Sequence, residues 1–188
     1  LAPLNAYGWA KHATDRRFRR ILDQNGFRPK QWAGLKFFNV YGPNEYHKGG
    51  MRSVVSQLFD KLSNGETATL FKSHHPDYED GGQLRDFVWV GDVVDIIMWL
   101  YDNPHVSDLF NIGTGKARSF KDLALAVFSA MGKEPDIKFV PTPESIRDKY
   151  QYFTEANMTK LREAGYGKEM TSLEEGVRSY VQDYLATE

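Results

Sequence analysis

The sequence predicts an α/β fold in which parallel strands are joined by crossover helices. Two observations predict it. Short apolar runs that end in turn residues alternate along the chain with longer segments whose apolar residues recur every three or four positions. Composition agrees, because 188 residues that are 41% hydrophobic and 26% charged are typical of a folded globular protein rather than of a disordered or coiled-coil chain.

The first two elements are a basic helix and an aromatic strand. Residues 7–24 are compatible with a helix, and Pro3 and Gly26 are plausible boundaries for it. Residues 32–39 form a short apolar run that leads into a Tyr-Gly-Pro-Asn turn, which favours a strand. A functional loop that includes this turn is expected over residues 40–50.

An amphipathic helix is predicted next, followed by a strand and a long loop. Six apolar residues have the spacing of one helix face: Met51, Val54, Val55, Leu58, Phe59 and Leu62. Asn64 and Gly65 end that helix. Residues 67–71 then favour a strand, and residues 72–84 form a polar loop that is longer than most connections, which suggests a function for it.

The second half of the chain repeats the alternation. Residues 85–90 favour a strand, and Asp92 has the position of an N-cap for the helix after it. Residues 109–113 favour another strand, and Ser119 is expected to cap an amphipathic helix. Three further elements are predicted: a strand over 137–140 and helices over 155–164 and 173–185.

Charge and cysteine content exclude several function classes. The 24 Lys and Arg against 25 Asp and Glu give a net charge of -1, so no overall field attracts nucleic acid or an anionic membrane. The absence of Cys excludes disulfides, thiolate metal sites and a Cys nucleophile, and no secretory signal is recognisable, so we expect a cytoplasmic protein. His74 and His75 lack carboxylates at ligand spacing, so no metal site is expected.

One pair of residues suggests acid/base chemistry. Tyr7 and Lys11 are four residues apart, which places both side chains on the same face of a helix. A neighbouring ammonium favours the phenolate form of a tyrosine, which is the form that can accept a proton at neutral pH. Such a spacing also arises by chance in many helices, so the pair alone does not decide the function.

Four segments in order carry more information than this pair. They are Tyr-x-x-x-Lys from Tyr7, LKFFNVYGP from Leu35, RDFVWVGDV from Arg85 and FNIGTG from Phe110. Together they resemble the extended short-chain dehydrogenase/reductase family of nucleotide-sugar epimerases and dehydratases. NEYHKG from Asn44 and KYQYFT from residue 149 resemble the branch of that family that epimerises ADP-activated heptoses at C6''.

The resemblance implies a fold and a reaction. Residues 1–188 would be the C-terminal part of a doubly wound Rossmann-type parallel sheet, plus a smaller mixed α/β substrate domain. Bound NADP, with NAD as the other possibility, would take a hydride from C6'' of ADP-D-glycero-D-manno-heptose and return it to the opposite face, for lipopolysaccharide core synthesis. A homo-oligomer is expected, with a nucleotide sugar as the small-molecule partner.

The resemblance also implies roles for individual residues. Tyr7 would be the acid/base, Lys11 would bind the nicotinamide ribose, Lys48 would be a second acid/base at the cofactor, and Val40 would lie against the cofactor. Nine residues fall where the family contacts substrate: Asn39, Gly50, Gln57, Phe71, Lys72, Ser73, His74, Arg85 and Tyr150. Arg85 would pair with the diphosphate and Tyr150 would close over it.

This chain departs from the family pattern at several points. Gly50 stands where Ser is common, Gln57 where His can occur, and the loop after Phe71 is extended. No G-x-G-x-x-G follows a strand, and the family's catalytic Ser or Thr is absent, so we expect the first βαβ units to be missing from these residues. On that expectation, the residues alone should bind NADP poorly.

Other interpretations stay open at the level of the sequence. The protein could be another nucleotide-sugar epimerase or a 4,6-dehydratase, or a non-catalytic fragment without a cofactor site. Asn39 could stabilise the turn after it, Arg85 and Asp86 could form a surface ion pair, and Lys48 could only neutralise a phosphate. Four arginines of the first helix are expected to form a solvated surface: Arg16, Arg17, Arg19 and Arg20.

Overall fold

The computed structural model describes residues 3, 6–24, 29–147 and 150–187. The described α-helices are α1 (Ala6–Gln24), α2 (Val54–Ser63), α3 (Val90–Asp102), α4 (Phe120–Ala130), α5 (Glu144–Arg147), α6 (Thr159–Glu163) and α7 (Leu173–Ser179). The described strands are β1 (Ala33–Phe37), β2 (Asn39–Tyr41), β3 (Ala68–Phe71), β4 (Leu84–Arg85), β5 (Phe87–Trp89), β6 (Asp108–Ile112), β7 (Arg118–Ser119) and β8 (Ile137–Val140).

Parallel pairing dominates among the described strands. β1 pairs with β6, β2 with β5 and β3 with β8, all parallel, whereas β4 pairs with β7 in the antiparallel sense. The strands of each parallel pair are separated by long crossover segments that contain helices, as parallel pairing requires. The predicted α/β fold is therefore confirmed.

Two clusters of buried side chains hold these elements together. One joins α2, α4 and α7 to β3, and its centre includes Val55, Leu123 and Tyr180. The other lies between α3, β6 and α6, and its centre includes Ile96 and Phe110. Burial of these apolar side chains is the main stabilising term for both clusters, at roughly 25 cal/mol for each Å² of apolar surface removed from water.

α1 runs antiparallel to β1, and its first turn lies toward the carboxyl end of the strand. Asp15 forms an ion pair with Lys36, and the Phe18 ring packs against Trp32 at a centroid distance of 5.3 Å. Residues later in α1 therefore contact residues earlier in β1 or before it. Tyr7, eight residues before Asp15, therefore lies toward the carboxyl end of β1.

Several local predictions are confirmed. α1, β3, β6 and β8 occupy their predicted segments within one residue at most described ends. Ser119 caps α4 through a full capping box, because its hydroxyl accepts a hydrogen bond from the Asp122 amide while the Asp122 carboxylate accepts one from the Ser119 amide. Gly26, the expected boundary after α1, lies outside the described residues.

Two predictions about helix starts are wrong. α2 begins at Val54 with Ser53 as its N-cap, and Met51, assigned to the buried stripe, is 85% exposed at the end of a 3-10 turn. Asp92 is not an N-cap, because α3 already begins at Val90. The Asp92 carboxylate instead accepts hydrogen bonds from the amide and hydroxyl of Thr171, at 2.9 and 2.8 Å.

The predicted helices near the C-terminus differ in extent from the observed ones. The segment predicted as a helix over 155–164 is helical only in α6, and α5 was not predicted. The last helix changes after α7 into a π-helical turn, Tyr180–Tyr184, and a 3-10 turn, Leu185–Thr187. Among the described residues, no helix combines the length and the apolar character needed to cross a lipid bilayer.

Candidate active site

The Tyr7 and Lys11 side chains lie together on the first turns of α1. The Lys11 Nζ is 5.3 Å from the centroid of the Tyr7 ring, a distance at which an ammonium is attracted to an aromatic face. The Tyr7 side chain is 73% exposed and therefore available to a ligand. The structure thus confirms the helical spacing behind the prediction; their catalytic roles stay a prediction.

Asn39 and Val40 form β2, which continues the direction of β1 after a break at Phe38. The Asn39 amide donates to the Asp86 carbonyl at 3.0 Å, and Val40 pairs with Val88 of β5. Asn39 is exposed, whereas Val40 is half-buried against the α3 and β6 cluster. Ligands of open α/β sheets bind at the carboxyl ends of strands, and the first turn of α1, which carries Tyr7, lies toward the carboxyl end of β1.

Lys48 lies on the 3-10 turn Tyr46–Met51, in the loop that leaves the carboxyl end of β2. Its amide donates to the Glu45 carbonyl at 3.0 Å, and its side chain is exposed, with an ammonium that forms no ion pair with any described residue. Gly49 has φ of 54°, a conformation that favours glycine. Gly50 is exposed beside it and accepts a long hydrogen bond of 3.4 Å from Gln57.

Arg85 lies between two aromatic rings. Its guanidinium carbon is 5.5 Å from the centroid of Tyr150 and 5.7 Å from that of Phe120. Tyr150 in turn meets Phe71 edge to face at 6.2 Å. Three predicted substrate residues, Arg85, Tyr150 and Phe71, are therefore brought together from distant parts of the chain.

Burial changes the electrostatics of this group. It lowers the pKa of the Arg85 guanidinium relative to its ordinary value, although the guanidinium stays charged at any physiological pH. Burial also raises the pKa of the Tyr150 phenol, and the Arg85 charge opposes that shift only in part. A partly desolvated cation beside two rings is well suited to hold an anionic group such as a diphosphate.

A cleft of about 340 Å³ adjoins Tyr150 and Phe71. Leu70 and Phe120 also line it, as do Gln57 and Lys61 of α2. Mostly apolar walls with a few polar groups are typical of a small-molecule site. Gln57 is held in place by donating to the Arg52 carbonyl at 2.7 Å.

The other predicted substrate residues lie on the loop that follows β3. The Lys72 carbonyl accepts hydrogen bonds from Gln83 and Thr142, while its side chain is exposed. Ser73 donates its amide to the Asp80 carboxylate at 2.8 Å. The amide of His74 donates to the Tyr152 hydroxyl, also at 2.8 Å, so the loop is tied to the segment that carries Tyr150.

Asp86 connects the group around Arg85 to Asn39 on β2. Its side chain is 0% exposed, so the alternative of a surface ion pair between Arg85 and Asp86 is wrong. The carboxylate accepts hydrogen bonds from the Thr114 amide and hydroxyl and from the amides of Gly115 and Ala156, at 2.7 to 3.0 Å. Arg85 and Asn39 thus both adjoin one rigid, buried junction.

No group of three or more His, Asp or Glu side chains within the described ranges is arranged to hold a metal ion. His75 packs instead against the rings of Tyr78 and Tyr152, each at a centroid distance of 5.3 Å. The arginines of α1 lie along an exposed face, as expected of a solvated surface, with Arg19 also 3.6 Å from Asp108.

Comparison with known proteins agrees with this geometry. The model of the NAD dependent epimerase/dehydratase family matches residues 1–113, which is more than half of the chain. The chain belongs to this family. The match includes every predicted site residue except Tyr150.

Curated relatives in the epimerase/dehydratase family are similar over almost the whole chain. An ADP-L-glycero-D-manno-heptose-6-epimerase from Nitratidesulfovibrio vulgaris strain DP4 is 52% identical over 186 residues, which is 99% of this chain and 56% of that protein. An enzyme of the same name from Fusobacterium nucleatum is 50% identical, covering 100% of this chain and 57% of that protein. The chain therefore spans about 56% of the length of the curated relatives that it matches.

Solved structures of family members have the same fold. The Helicobacter pylori ADP-L-glycero-D-manno-heptose-6-epimerase matches with a TM-score of 0.76 and 26% identity, over 98% of this chain and 52% of that one. A Thermus thermophilus UDP-glucose 4-epimerase in complex with NAD matches with a TM-score of 0.78 and 25% identity, over 100% of this chain and 56% of that one.

Sequence reasoning missed residues whose importance depends on distant contacts. Phe120, the second ring beside Arg85, directly follows the predicted cap Ser119 but was given no role in the site. The buried carboxylate of Glu45 was quoted within a motif but given no role of its own, although it accepts hydrogen bonds from Ser53 and Tyr180. The position of Glu45 inside the predicted functional loop, residues 40–50, is the one signal that would have indicated it.

Proposed function

We propose that the protein carrying these residues epimerises ADP-D-glycero-D-manno-heptose at C6'' to the L-glycero form, with bound NADP as the cofactor. The observation that supports this most directly is the exposed Tyr7 and Lys11 pair on the first turns of α1, the end of the helix that lies toward the carboxyl end of β1. The names of the relatives that are 50% and 52% identical point to the same substrate. The lipopolysaccharide role, the homo-oligomer and the cytoplasmic location are proposed with it.

The residues present fit the nicotinamide end of such a cofactor. Lys11 offers an ammonium beside a phenol on an accessible helix face, and Val40 offers a half-buried apolar side chain at the strand end. We assign no residue to the pyrophosphate, because these 188 residues contain no glycine-rich loop after a strand. When bound there, the cofactor would supply reversible hydride acceptance at C6'' of the substrate.

The chain's own residues supply binding and proton transfer. Arg85 holds the diphosphate with its guanidinium, and Tyr150 limits the access of water to the diphosphate. Tyr7 takes the proton of the C6'' hydroxyl on one side of the substrate. Return of hydride to the opposite face leaves the oxygen in a different position, so one base does not easily serve both half-reactions. Lys48, on the loop beyond β2, serves the second.

We also propose that these residues form the C-terminal part of a longer enzyme, with the catalytic helix, the last sheet strands and the interleaved substrate domain. The share of the relatives that is matched, 56% and 57%, supports this, as does the missing glycine-rich loop. Mass spectrometry of the intact protein isolated from its source tests it. A mass equal to that of these residues alone, 21.6 kDa, would contradict the proposal.

A substrate panel tests the activity. We expect turnover of ADP-D-glycero-D-manno-heptose, followed by NMR of the C6'' proton, and much slower turnover of UDP-glucose and dTDP-glucose. Preferential turnover of UDP-glucose would favour a 4-epimerase, and water loss from dTDP-glucose would favour a 4,6-dehydratase. NADP and NAD are compared by titrating each into the protein freed of nucleotide, and tighter binding of NAD would contradict the cofactor assignment.

A further inference from the structure

Glu45 is a buried carboxylate directly before the turn that carries Lys48. It is 5% exposed, and it accepts hydrogen bonds from the amide and hydroxyl of Ser53 and from the hydroxyl of Tyr180, the latter at 3.0 Å. A buried carboxylate is tolerated only with such partners. These three bonds therefore determine where Glu45 lies.

Residues 46–52, which include Lys48, form a loop that we call the Lys48 loop. The bonds between Glu45 and Ser53 close this loop at its base. Glu45 and Ser53 are eight residues apart, and the Ser53 amide lies 2.7 Å from the Glu45 carboxylate. Ser53 is also the N-cap of α2, so the end of the loop is fixed to that helix. Inside the loop, the Lys48 amide donates to the Glu45 carbonyl, so Lys48 is one turn away from the anchored residue.

The bond to Tyr180 fixes the loop to the C-terminal helix. Tyr180 begins the π-helical turn Tyr180–Tyr184 and is fully buried, with its ring 6.2 Å from that of Trp89. Trp89 belongs to β5, which pairs with β2. The base of the loop, the helix and the strand that precedes the loop thus form one connected unit, and π-helical turns often occur at functional sites.

We propose that Glu45 is a positioning residue for Lys48. By holding Ser53 and Tyr180, its carboxylate fixes the loop from which Lys48 reaches the reacting carbon. This inference rests on the proposed function, since it concerns the proton transfer assigned to Lys48. Such transfer requires heavy atoms about 2.6 to 3.2 Å apart, and a misplacement of about 1 Å is expected to cost on the order of 100-fold in rate.

A double-mutant cycle tests the coupling in the protein that carries this chain. Glu45→Gln, Lys48→Met and the double variant are assayed for epimerisation of ADP-D-glycero-D-manno-heptose. We expect Glu45→Gln to lower kcat by roughly 10- to 100-fold with little change in KM. The double variant should be no slower than Lys48→Met alone, within about two-fold, because a displaced loop has no Lys48 left to misplace.

Asp92→Asn is the matched control. Asp92 is also a buried carboxylate, and it also accepts from the amide and hydroxyl of one residue, Thr171, but it is not part of the Lys48 loop. Any change in kcat caused by Asp92→Asn should be independent of Lys48→Met, so that the two fold-changes multiply in the double variant. If Glu45→Gln does not fold, as judged by its thermal transition, Tyr180→Phe replaces it in the cycle, because that variant removes only one donor and keeps the ring.

Each outcome decides one statement. The positioning role alone is overturned if the unmodified protein is active and the effect of Glu45→Gln multiplies with that of Lys48→Met. The same holds for Tyr180→Phe where it replaces Glu45→Gln. The positioning role is also overturned if kcat does not fall in Glu45→Gln, or in Tyr180→Phe where it is used instead, whether or not KM rises. No epimerisation of the ADP-heptose by the unmodified protein overturns the proposed function, and this inference with it.

Discussion

The Arg85 guanidinium lies over the Tyr150 ring, 5.5 Å from its centroid, although the two residues are 65 positions apart in the chain. Phe120 provides a second ring at 5.7 Å, and β4, which carries Arg85, pairs with β7 directly before Phe120. The bridge between Leu84 and Phe153 brings the Tyr150 segment to the same place. The proposed diphosphate anchor is therefore assembled by the fold from three separate segments.

Arg85→Lys tests this anchor. The substitution keeps the positive charge but removes the planar guanidinium that packs on both rings and can bind an anion through two parallel hydrogen bonds. We expect KM for the nucleotide sugar to rise roughly ten-fold, a loss on the order of one good charge-assisted hydrogen bond, with kcat less affected. Steady-state kinetics measure both values.

Arg162→Lys is the control for the Arg85 prediction. The Arg162 guanidinium also lies over a tyrosine, Tyr166, at 5.3 Å, but that ring belongs to the α3 and β6 cluster and not to the group of Arg85, Tyr150 and Phe71. We expect its KM to stay within about two-fold of the unmodified value, as for a substitution distant from the ligand. An equal rise in KM for both variants would indicate a general loss of structure instead of a lost ligand contact.

Tyr7→Phe, made in the full protein that carries these residues, tests the proposed acid/base. The change removes only the hydroxyl, so we expect turnover to fall about 10²- to 10⁴-fold while NADP affinity is kept. The control is Tyr101→Phe on α3, another largely exposed tyrosine, which should retain full turnover. Near-normal turnover of Tyr7→Phe would show that this helix is not catalytic.

Lys11→Met is expected to behave differently from Tyr7→Phe. The Lys11 ammonium is assigned both to the cofactor and to the Tyr7 phenol that it faces at 5.3 Å. Its loss should therefore weaken NADP binding at least about ten-fold as well as lower turnover, as expected for a charge-assisted hydrogen bond. Calorimetric titration of NADP measures the binding, and unchanged affinity would restrict Lys11 to a role beside Tyr7.

Local features of the site and fold were predictable from the sequence because their partners are close in sequence. Tyr7 and Lys11 are one helical turn apart, and the capping box of Ser119 involves only Asp122. Met51 was misplaced although its spacing fits the helix. Gly49 adopts positive φ before it, and Ser53 begins a new element after it.

Contacts between distant residues were not predictable in this way. Asp92 has the residue type and the position of an N-cap, yet its carboxylate binds Thr171, 79 residues away. The same holds for Glu45 and Tyr180, which are 135 residues apart. A tertiary partner replaces the local one whenever burial makes an unpaired carboxylate costly, and a single sequence does not indicate which partner that is.

Asp86→Asn is predicted to destabilise the junction between the two parts of the site. One carboxylate oxygen accepts both donors of Thr114, and the other accepts the amides of Gly115 and Ala156. An asparagine places an NH₂ group against one of these pairs of donors. We expect a loss of roughly 3 kcal/mol in the free energy of unfolding, measured by urea denaturation.

The control for Asp86→Asn is Asp95→Asn on α3. Asp95 forms an ion pair with Lys168 at the surface, and such exposed pairs contribute little to stability. Its free energy of unfolding should therefore change little. Comparable losses for the two variants would contradict the view that the buried hydrogen bonds of Asp86 matter more than its charge.

The last prediction concerns acid stability and the Arg118 to Glu174 ion pair. Both nitrogens of the Arg118 fork donate to Glu174, at 2.7 and 3.3 Å. The hydrogen bond from Arg118 lowers the pKa of Glu174 below its ordinary value of 4.5, so near that pH the folded chain binds fewer protons here than the unfolded chain. The stabilisation is complete above pH 4.5 and is lost as the pH falls through the lower folded value.

Glu174→Gln isolates this contribution. The pair is partly exposed, so we expect the unmodified protein to exceed the variant in free energy of unfolding by at most about 1 kcal/mol near pH 7. This difference should shrink toward zero as the pH falls below 4.5 and through the lower folded value, since a protonated Glu174 resembles the glutamine that replaces it in the variant. Urea denaturation at several pH values measures it, and added salt should reduce it at neutral pH because the charges are screened. A difference that stays constant or grows on acidification would show that Glu174 contributes by packing and not by its charge.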